Sequence, residues 1–259
     1  MTPTPEIDRT EPASCVVTGA ASGLGRGIAA WLAHRGWHVV GLDLNESCQP
    51  DVDISVVIGD VALAAAHEEA AEWARGIAPL RGWVNCAGFN ILGSVTELSE
   101  PDLRRGVDVN LLGVFHGTAA AARAMLDHDG LGGSIVNISS IQARIGFPGF
   151  AAYAMTKGGI EALSRQVAAE YIHQGIRCNV VAPGLIDSPM NEQLLRESPD
   201  PELQLRRWAA LTPMGRWGTA KDIAPLCEFL LGEHASYITG EVFDVNGGAL
   251  AIAPGQLEQ

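Results

Sequence analysis

Tyr153 and Lys157 stand four residues apart in a long helical stretch, and that step places both side chains on one face of the helix. A phenol beside an ammonium is a pair suited to proton transfer, but the YxxxK spacing is common by chance. Its meaning depends on what else the chain carries. The segment Thr18-Gly19-Ala20-Ala21-Ser22-Gly23-Leu24-Gly25 follows an apolar run and opens a helix. Gly19 can make the tight turn, Gly23 lets backbone approach a pyrophosphate, and Gly25 lets helix and strand pack closely. The free N–H groups of the helix start would face the anion.

Asp43 ends the second strand-like run, 24 residues after Gly19. A carboxylate there can accept hydrogen bonds from the adenosine ribose hydroxyls. A 2′-phosphate in the same place would meet like charge, at a cost of about several kcal/mol. Ser22 and Leu44 offer no basic side chain to offset it, so the expected cofactor is NAD and not NADP.

Elements must hold these groups in place. Short β-branched runs at residues 15–18, 37–43, 54–59, 83–85, 134–138, 177–181 and 242–245 alternate with Ala/Leu-rich stretches at 24–34, 62–75, 100–127, 151–173 and 220–231. The alternation predicts an α/β fold of Rossmann type, a doubly wound parallel sheet of seven strands with helices on both faces. We expect a single catalytic domain over residues 14–259 after a flexible polar tail at 1–13. Ten residues separate Asp43 from Ile54, too few for a crossover helix, so an extended or single-turn link is expected. Residues 187–213 carry Pro189, Pro199, Pro201 and Pro213 around helical pieces at 190–196 and 202–210, the pattern of a substrate lid.

Seventeen Lys and Arg against 30 Asp and Glu leave a formal charge of −13, which repels nucleic acid and anionic membrane surfaces. No apolar run approaches the ~18 residues of a span. The N-terminus lacks the basic and apolar regions of an export signal, so a cytoplasmic protein is expected. The five cysteines, Cys15, Cys48, Cys86, Cys178 and Cys227, form no CxxC pair and read as reduced structural thiols. His116, His128, His173 and the other histidines lack metal spacing, so no metal is expected.

With these motifs together, the sequence resembles the short-chain dehydrogenase/reductase family nearly end to end. The resemblance rests on the TGxxxGxG loop, Asp60-Val61, Asn85-Cys86-Ala87-Gly88, Asn110, Ser139-Ser140, Tyr153 with Lys157, Pro183-Gly184, and Thr239-Gly240 through Gly247-Gly248. It implies that Tyr153 is the general acid/base, that Lys157 lowers its pKa and holds the nicotinamide ribose, that Ser140 steadies the substrate oxygen, and that Asn110 holds a water in a proton relay. Free tyrosine titrates near ~10, and a cation ~4 Å away at an effective dielectric of ~20 contributes ~4 kcal/mol, about three pKa units. Ser140 is preferred to Ser139 because it lies thirteen residues before Tyr153.

The resemblance further implies cofactor contacts from Gly19, Ser22, Gly23, Leu24, Gly25, Asp43, Asp60, Val61, Asn85, Ala87, Gly88, Pro183, Gly184, Ile186 and Ser188. Cys86 replaces a common asparagine, and Ser188 stands where the family has threonine, keeping the hydroxyl. The short link after Asp43 resembles that of members that oxidise small cyclic diols. Pocket walls are expected from Gln142, Arg144 and Phe147, from Phe89 and Asn90, and from Met190, Leu194 and Trp208. Ser140, Gln142, Phe147, Tyr153 and Met190 are the expected substrate contacts, and Arg144 is read as a solvated arginine in preference to a carboxylate binder.

The expected activity is hydride transfer between NAD(H) and a secondary alcohol or ketone, with a small cyclic or polyhydroxylated substrate. A 3-oxoacyl carrier-protein reductase and a non-catalytic NAD(H)-binding regulator are the alternatives. A homo-oligomer, dimer or tetramer, is expected through the helices bearing Asn110 and Tyr153, with Ala162, Leu163, Val167 and Tyr171 offering apolar area.

Overall fold

Alternate side chains of the first strand, β1 (Ser14–Thr18), enter two different cores. Val16 packs with Ala70 and Ala74 of α2 (Ala64–Ile77) and with Ala120 and Ala121 of α4 (Gly113–Leu126). Cys15 and Val17 pack instead with Ile28 and Leu32 of α1 (Gly23–His34) and Ile223 and Leu230 of α8 (Ala220–Leu231). The period-2 geometry of a strand buried on both faces produces this division.

The computed structural model describes residues 12–46, 54–127 and 132–251. Within them β2 (His38–Asp43), β3 (Ser55–Ile58), β4 (Leu80–Asn85), β5 (Gly133–Ile138), β6 (Ile176–Pro183) and β7 (Val242–Val245) join β1 in one sheet. Its order is β3-β2-β1-β4-β5-β6-β7, and every pairing is parallel. The seven-stranded doubly wound fold expected from the alternation is therefore present. The strand order reverses between β1 and β4, so a crevice opens at their carboxyl ends, where such sheets bind ligands.

Local differences have identifiable causes. β4 begins at Leu80, earlier than expected, because Arg81 and Gly82 are poor strand signals with good local reasons. Arg81 donates from Nη1 to the Gly132 carbonyl at 2.8 Å, and a Cβ at Gly82 would lie 2.9 Å from the Cys15 sulfur. The helix expected over 100–127 is three pieces: α3 (Glu100–Val107), a π-helical turn (Asp108–Leu112) and α4. The π turn holds Asn110, whose amide grips the Phe89 backbone, and such turns insert a residue without ending the helix. α5 (Ala151–Tyr171) matches its expected stretch and ends in a 3-10 turn.

Residues 187–213 form two short helices, α6 (Pro189–Glu197) and α7 (Pro201–Ala210). Proline stands in the first turn of each. Ser188 caps α6 by accepting the Asn191 N–H at 3.4 Å, and Asp200 caps α7 by accepting that of Leu203 at 2.9 Å. Most of the tail at 1–13, most of the link between Asp43 and Ile54, and Cys48 lie outside the described residues. Among the described residues no helix is long and apolar enough to cross a membrane.

Candidate active site

A cavity of about 430 Å³ lies over the carboxyl ends of the strands. At one end the glycine loop joins β1 to α1. Gly19 takes φ +73, and a Cβ there would sit 2.9 Å from the Ala87 Cα. A Cβ on Gly25 would lie 2.2 Å from the Gly19 carbonyl oxygen, so only glycine lets helix and strand approach this closely. Ser22 is the N-cap of α1, yet its hydroxyl makes no capping bond, and no acidic side chain stands in the first turn. A helix start with an uncommitted hydroxyl and free N–H groups suits a phosphate. Thr18 Oγ1 accepts from Cys86 N and Ala87 N, both at 3.0 Å, and so draws the β4 loop against the glycine loop.

Asp43 holds its carboxylate in place through two backbone donors, Ala21 N–H to Oδ2 at 3.0 Å and Asn45 N–H to Oδ1 at 3.1 Å. Asp60 and Val61 continue this wall. Asp60 accepts from Ala62 N at 2.9 Å and pairs with Arg105 Nη1 at 3.0 Å. The Ala62 N–H, followed by Arg105, keeps its carboxyl below the ordinary range. Leu44 and Gly59, which flank the expected Asp43 and Asp60, also line the cavity, as does Arg105, which local patterns do not reveal because its partner Asp60 lies 45 residues away.

At the other end Ser140, Tyr153 and Lys157 meet on one wall. Ser140 ends the segment after β5 and caps a 3-10 turn (Ile141–Ala143), accepting the Gln142 N–H at 3.2 Å. Ser140 lies near enough to the Tyr153 phenol to favour its ionised form. Lys157 Nζ lies 5.5 Å from the Tyr153 ring centroid and donates to the Ile138 carbonyl at 2.9 Å. The Ser139 hydroxyl donates instead to the Lys157 carbonyl at 3.0 Å. Tyr153 and Lys157 are both buried.

Burial changes the electrostatics expected from spacing alone. The Tyr153 phenol is pushed up to about 12, chiefly by burial, while Ser140 pulls it partly back. Burial likewise lowers Lys157 to about 8. The lysine therefore does not bring the phenol into the neutral range unaided: burial disfavours the charged form of both groups. The neighbouring Cys86 thiol is raised to about 12, also by burial, and is no nucleophile at neutral pH.

Two expected site residues lie behind the cavity wall. Asn85 is buried in a polar network: Oδ1 accepts Trp83 Nε1–H at 2.8 Å, while Nδ2 donates to Asn137 Oδ1 at 2.8 Å and Thr118 Oγ1 at 3.2 Å. Its side chain holds β4, β5 and α4 together and is not on the cofactor surface. Asn110 donates from Nδ2 to the Phe89 carbonyl at 2.8 Å and accepts the Phe89 N–H at 3.0 Å. The amide expected to hold a water thus fixes the loop after Gly88. The other expected cofactor residues, Gly19, Ser22, Gly23, Leu24, Gly25, Asp43, Asp60, Val61, Ala87, Gly88, Pro183, Gly184, Ile186 and Ser188, all line the cavity.

The substrate half is walled by Gln142, Phe147 and Met190, as expected, with Leu194, Trp208, Phe89 and Asn90. Phe150, Leu211, Thr212 and Ala249 complete it. Thr212 and Ala249 come together because Met214 N–H bonds the Gly247 carbonyl at 3.1 Å, a link no local pattern reveals. Trp208 meets Trp217 edge to face with centroids 5.4 Å apart, fastening α7 to the following loop. Arg144 is not on the wall and is not a free solvated cation. It pairs with Asp244 and lies 3.4 Å from Glu161.

A glycine loop at a helix start, an acid on the ribose side, and a serine, tyrosine and lysine at the far end define an oxidoreductase built around a nicotinamide dinucleotide. The family model described as enoyl-(acyl carrier protein) reductase matches residues 19–249. The 2-(S)-hydroxypropyl-CoM dehydrogenase 3 of Xanthobacter autotrophicus is 37% identical over 247 residues, covering 91% of this chain and 96% of that protein. From the same organism, the protein named inactive 2-(S)-hydroxypropyl-CoM dehydrogenase 2 is 44% identical over 196 residues, 75% of this chain and 83% of its own length. The ligand-free aldohexose dehydrogenase of Thermoplasma acidophilum superposes with a TM-score of 0.87 at 29% identity, covering 95% of this chain and 97% of that one. The chain belongs to the short-chain dehydrogenase/reductase family.

Proposed function

We propose that the protein is an NAD-dependent alcohol dehydrogenase or ketone reductase acting on a small secondary alcohol, cyclic or polyhydroxylated, in the cytoplasm as a homo-oligomer. One observation supports this most strongly: Ser140, Tyr153 and Lys157 converge on the same cavity that the glycine loop and Asp43 line at its other end. The cradle fits NAD, with the unbonded Ser22 hydroxyl and the α1 start for the pyrophosphate and Asp43 for the ribose. Lys157 would hold the second ribose, and Ser188, whose hydroxyl proton remains free to donate, would hold the carboxamide.

When bound and oxidised, NAD supplies a hydride acceptor and a positive charge. Ser140 and Tyr153 hold the substrate hydroxyl between them, and ionised Tyr153 takes its proton as the carbinol carbon is oxidised. The same hydroxyl returns the proton when a ketone is reduced. Lys157, protonated below about 8, stabilises the phenolate, and Asn110 supports the reaction by fixing the Phe89 loop. The apolar wall of Phe147, Phe150, Met190 and Trp208 excludes water, while Gln142 and Asn90 provide polar contacts for a hydroxylated substrate.

The experiment is a panel of secondary alcohols and diols offered with NAD or NADP, read by NADH or NADPH absorbance. Turnover with NAD on at least one small secondary alcohol is the expected result. No turnover in either direction with any member would contradict it. The name of the 44% identical relative favours a second reading, a protein that binds NAD(H) without catalysis. Intact Ser140, Tyr153 and Lys157 weigh against that here, and the same panel separates the two.

A further inference from the structure

Arg144 directly follows the 3-10 turn that Ser140 caps, and its backbone N–H closes that turn onto the Ile141 carbonyl at 3.0 Å. Its guanidinium forks onto both carboxylate oxygens of Asp244 on β7, with Nη1 at 2.8 Å from Oδ2. Its Nε lies 3.4 Å from Oε1 of Glu161 on α5. Glu161 is 7% exposed, one helical turn beyond Lys157, and also accepts from Ser139 Oγ at 3.4 Å. A single side chain therefore ties the turn after β5 to the catalytic helix and to the edge strand of the sheet.

Stability alone is a weak reason for this arrangement. Arg144 and Asp244 are about one-third exposed, and pairs of that kind contribute on the order of 1 kcal/mol or less. Position is the larger stake, since displacing a catalytic group by ~1 Å can cost ~100-fold in rate. Between Ser140 and Arg144 lie only the three residues of the turn, so whatever fixes Arg144 fixes the serine.

We infer that Arg144 is a positioning residue for Ser140: its fork onto Asp244 sets the turn that carries the serine on the Tyr153 side of the cavity, while its Nε compensates the buried Glu161 carboxylate one helical turn beyond Lys157. This rests on the reading of Ser140 as part of the catalytic site. A stabilising role and a positioning role separate in a double variant. Arg144→Met strands the Glu161 charge, and Glu161→Gln added to it removes that charge.

The test uses the secondary alcohol that the wild-type enzyme oxidises fastest. Arg144→Met is expected to lower kcat about tenfold or more, with the Kd for NADH, read by fluorescence, unchanged within about twofold. Arg144→Met/Glu161→Gln should recover the wild-type Tm while kcat stays low. Arg144→Lys, which keeps the charge and loses the fork, should likewise combine a near-normal Tm with reduced kcat. Wild-type kcat in Arg144→Met or Arg144→Lys would overturn the inference, as would a double variant whose kcat returns together with its Tm. A wild-type enzyme that oxidises no alcohol overturns both this inference and the proposed activity, whereas an active enzyme indifferent to Arg144 overturns the inference alone.

Discussion

The Asp43 carboxylate accepts the Ala21 N–H at 3.0 Å, so the end of β2 and the glycine loop are locked to each other across the ribose side of the cavity. A second bond from Asn45 N–H at 3.1 Å holds the other oxygen. A carboxylate fixed in this way cannot swing aside for a 2′-phosphate. Arg105, the arginine on that wall, is already paired with Asp60. With repulsion of ~3 kcal/mol, NAD should be preferred over NADP by about a hundredfold in kcat/KM. Asp43→Ser with Leu44→Arg should narrow or reverse the ratio. Equal kcat/KM with both cofactors in the wild type would contradict this account.

Lys157 carries a cost in stability. Burial lowers its folded pKa from 10.5 to about 8, while the unfolded chain keeps the ordinary value. Below about 8 both states hold the proton and the full penalty applies, about 3 kcal/mol at most for a shift of this size. Between about 8 and 10.5 the folded state has lost the proton and the unfolded chain has not, so the penalty shrinks as pH rises. Lys157→Met should therefore raise the stability of the cofactor-free protein at pH 7, with a gain that fades toward pH 10.5. It should also lower kcat and weaken NADH binding. Urea unfolding at several pH values checks this, and a gain that grew with pH would contradict it.

Asn85 is a structural residue in this fold. Asn85→Ala strands the Trp83 indole N–H and the Asn137 carbonyl oxygen, at about 2–4 kcal/mol in all. Its Kd for NADH should stay near the wild-type value as long as the protein is folded. Gly117→Ala should be similarly destabilising, because the new Cβ would lie 2.1 Å from Asn85 Oδ1. A large loss of NADH affinity without loss of Tm in Asn85→Ala would return that side chain to the cofactor site.

A homo-oligomer would pair the helices bearing Asn110 and Tyr153 without help from Val167, while Ala162 on the same helix is exposed. Val167 is buried in the core, and Leu163 and Tyr171 pack against it. Exposed apolar side chains on these helices also include Leu112 and Phe115 by α4 and Met155 on α5. A dimer or tetramer should appear by sedimentation at micromolar concentration, and Phe115→Asp should weaken it. A wild-type monomer under those conditions would contradict the proposal.

What could be read from the sequence was local. The glycine loop, Asp43 at a strand end and the four-residue step from Tyr153 to Lys157 are short-range patterns, and each landed on the cavity. The alternation of strand and helix likewise carried the sheet order's parallel character. Asn85, Asn110 and Arg144 were read less well because their roles lie in their partners. Asn85 depends on Asn137, Asn110 on Phe89, and Arg144 on Asp244, 100 residues away. The phenol's raised pKa was also hidden, since spacing reveals a nearby cation but not how deeply both groups are buried.

Tyr153→Phe separates proton transfer from cofactor binding. The ring would keep its packing against Phe150, centroids 6.3 Å apart, while the proton-transferring hydroxyl is removed. The folded variant should bind NADH within about twofold of wild type and lose turnover by about three powers of ten or more on the best alcohol of the panel. Turnover by Tyr153→Phe at the wild-type rate, with NADH binding intact, would show that some other group moves the proton.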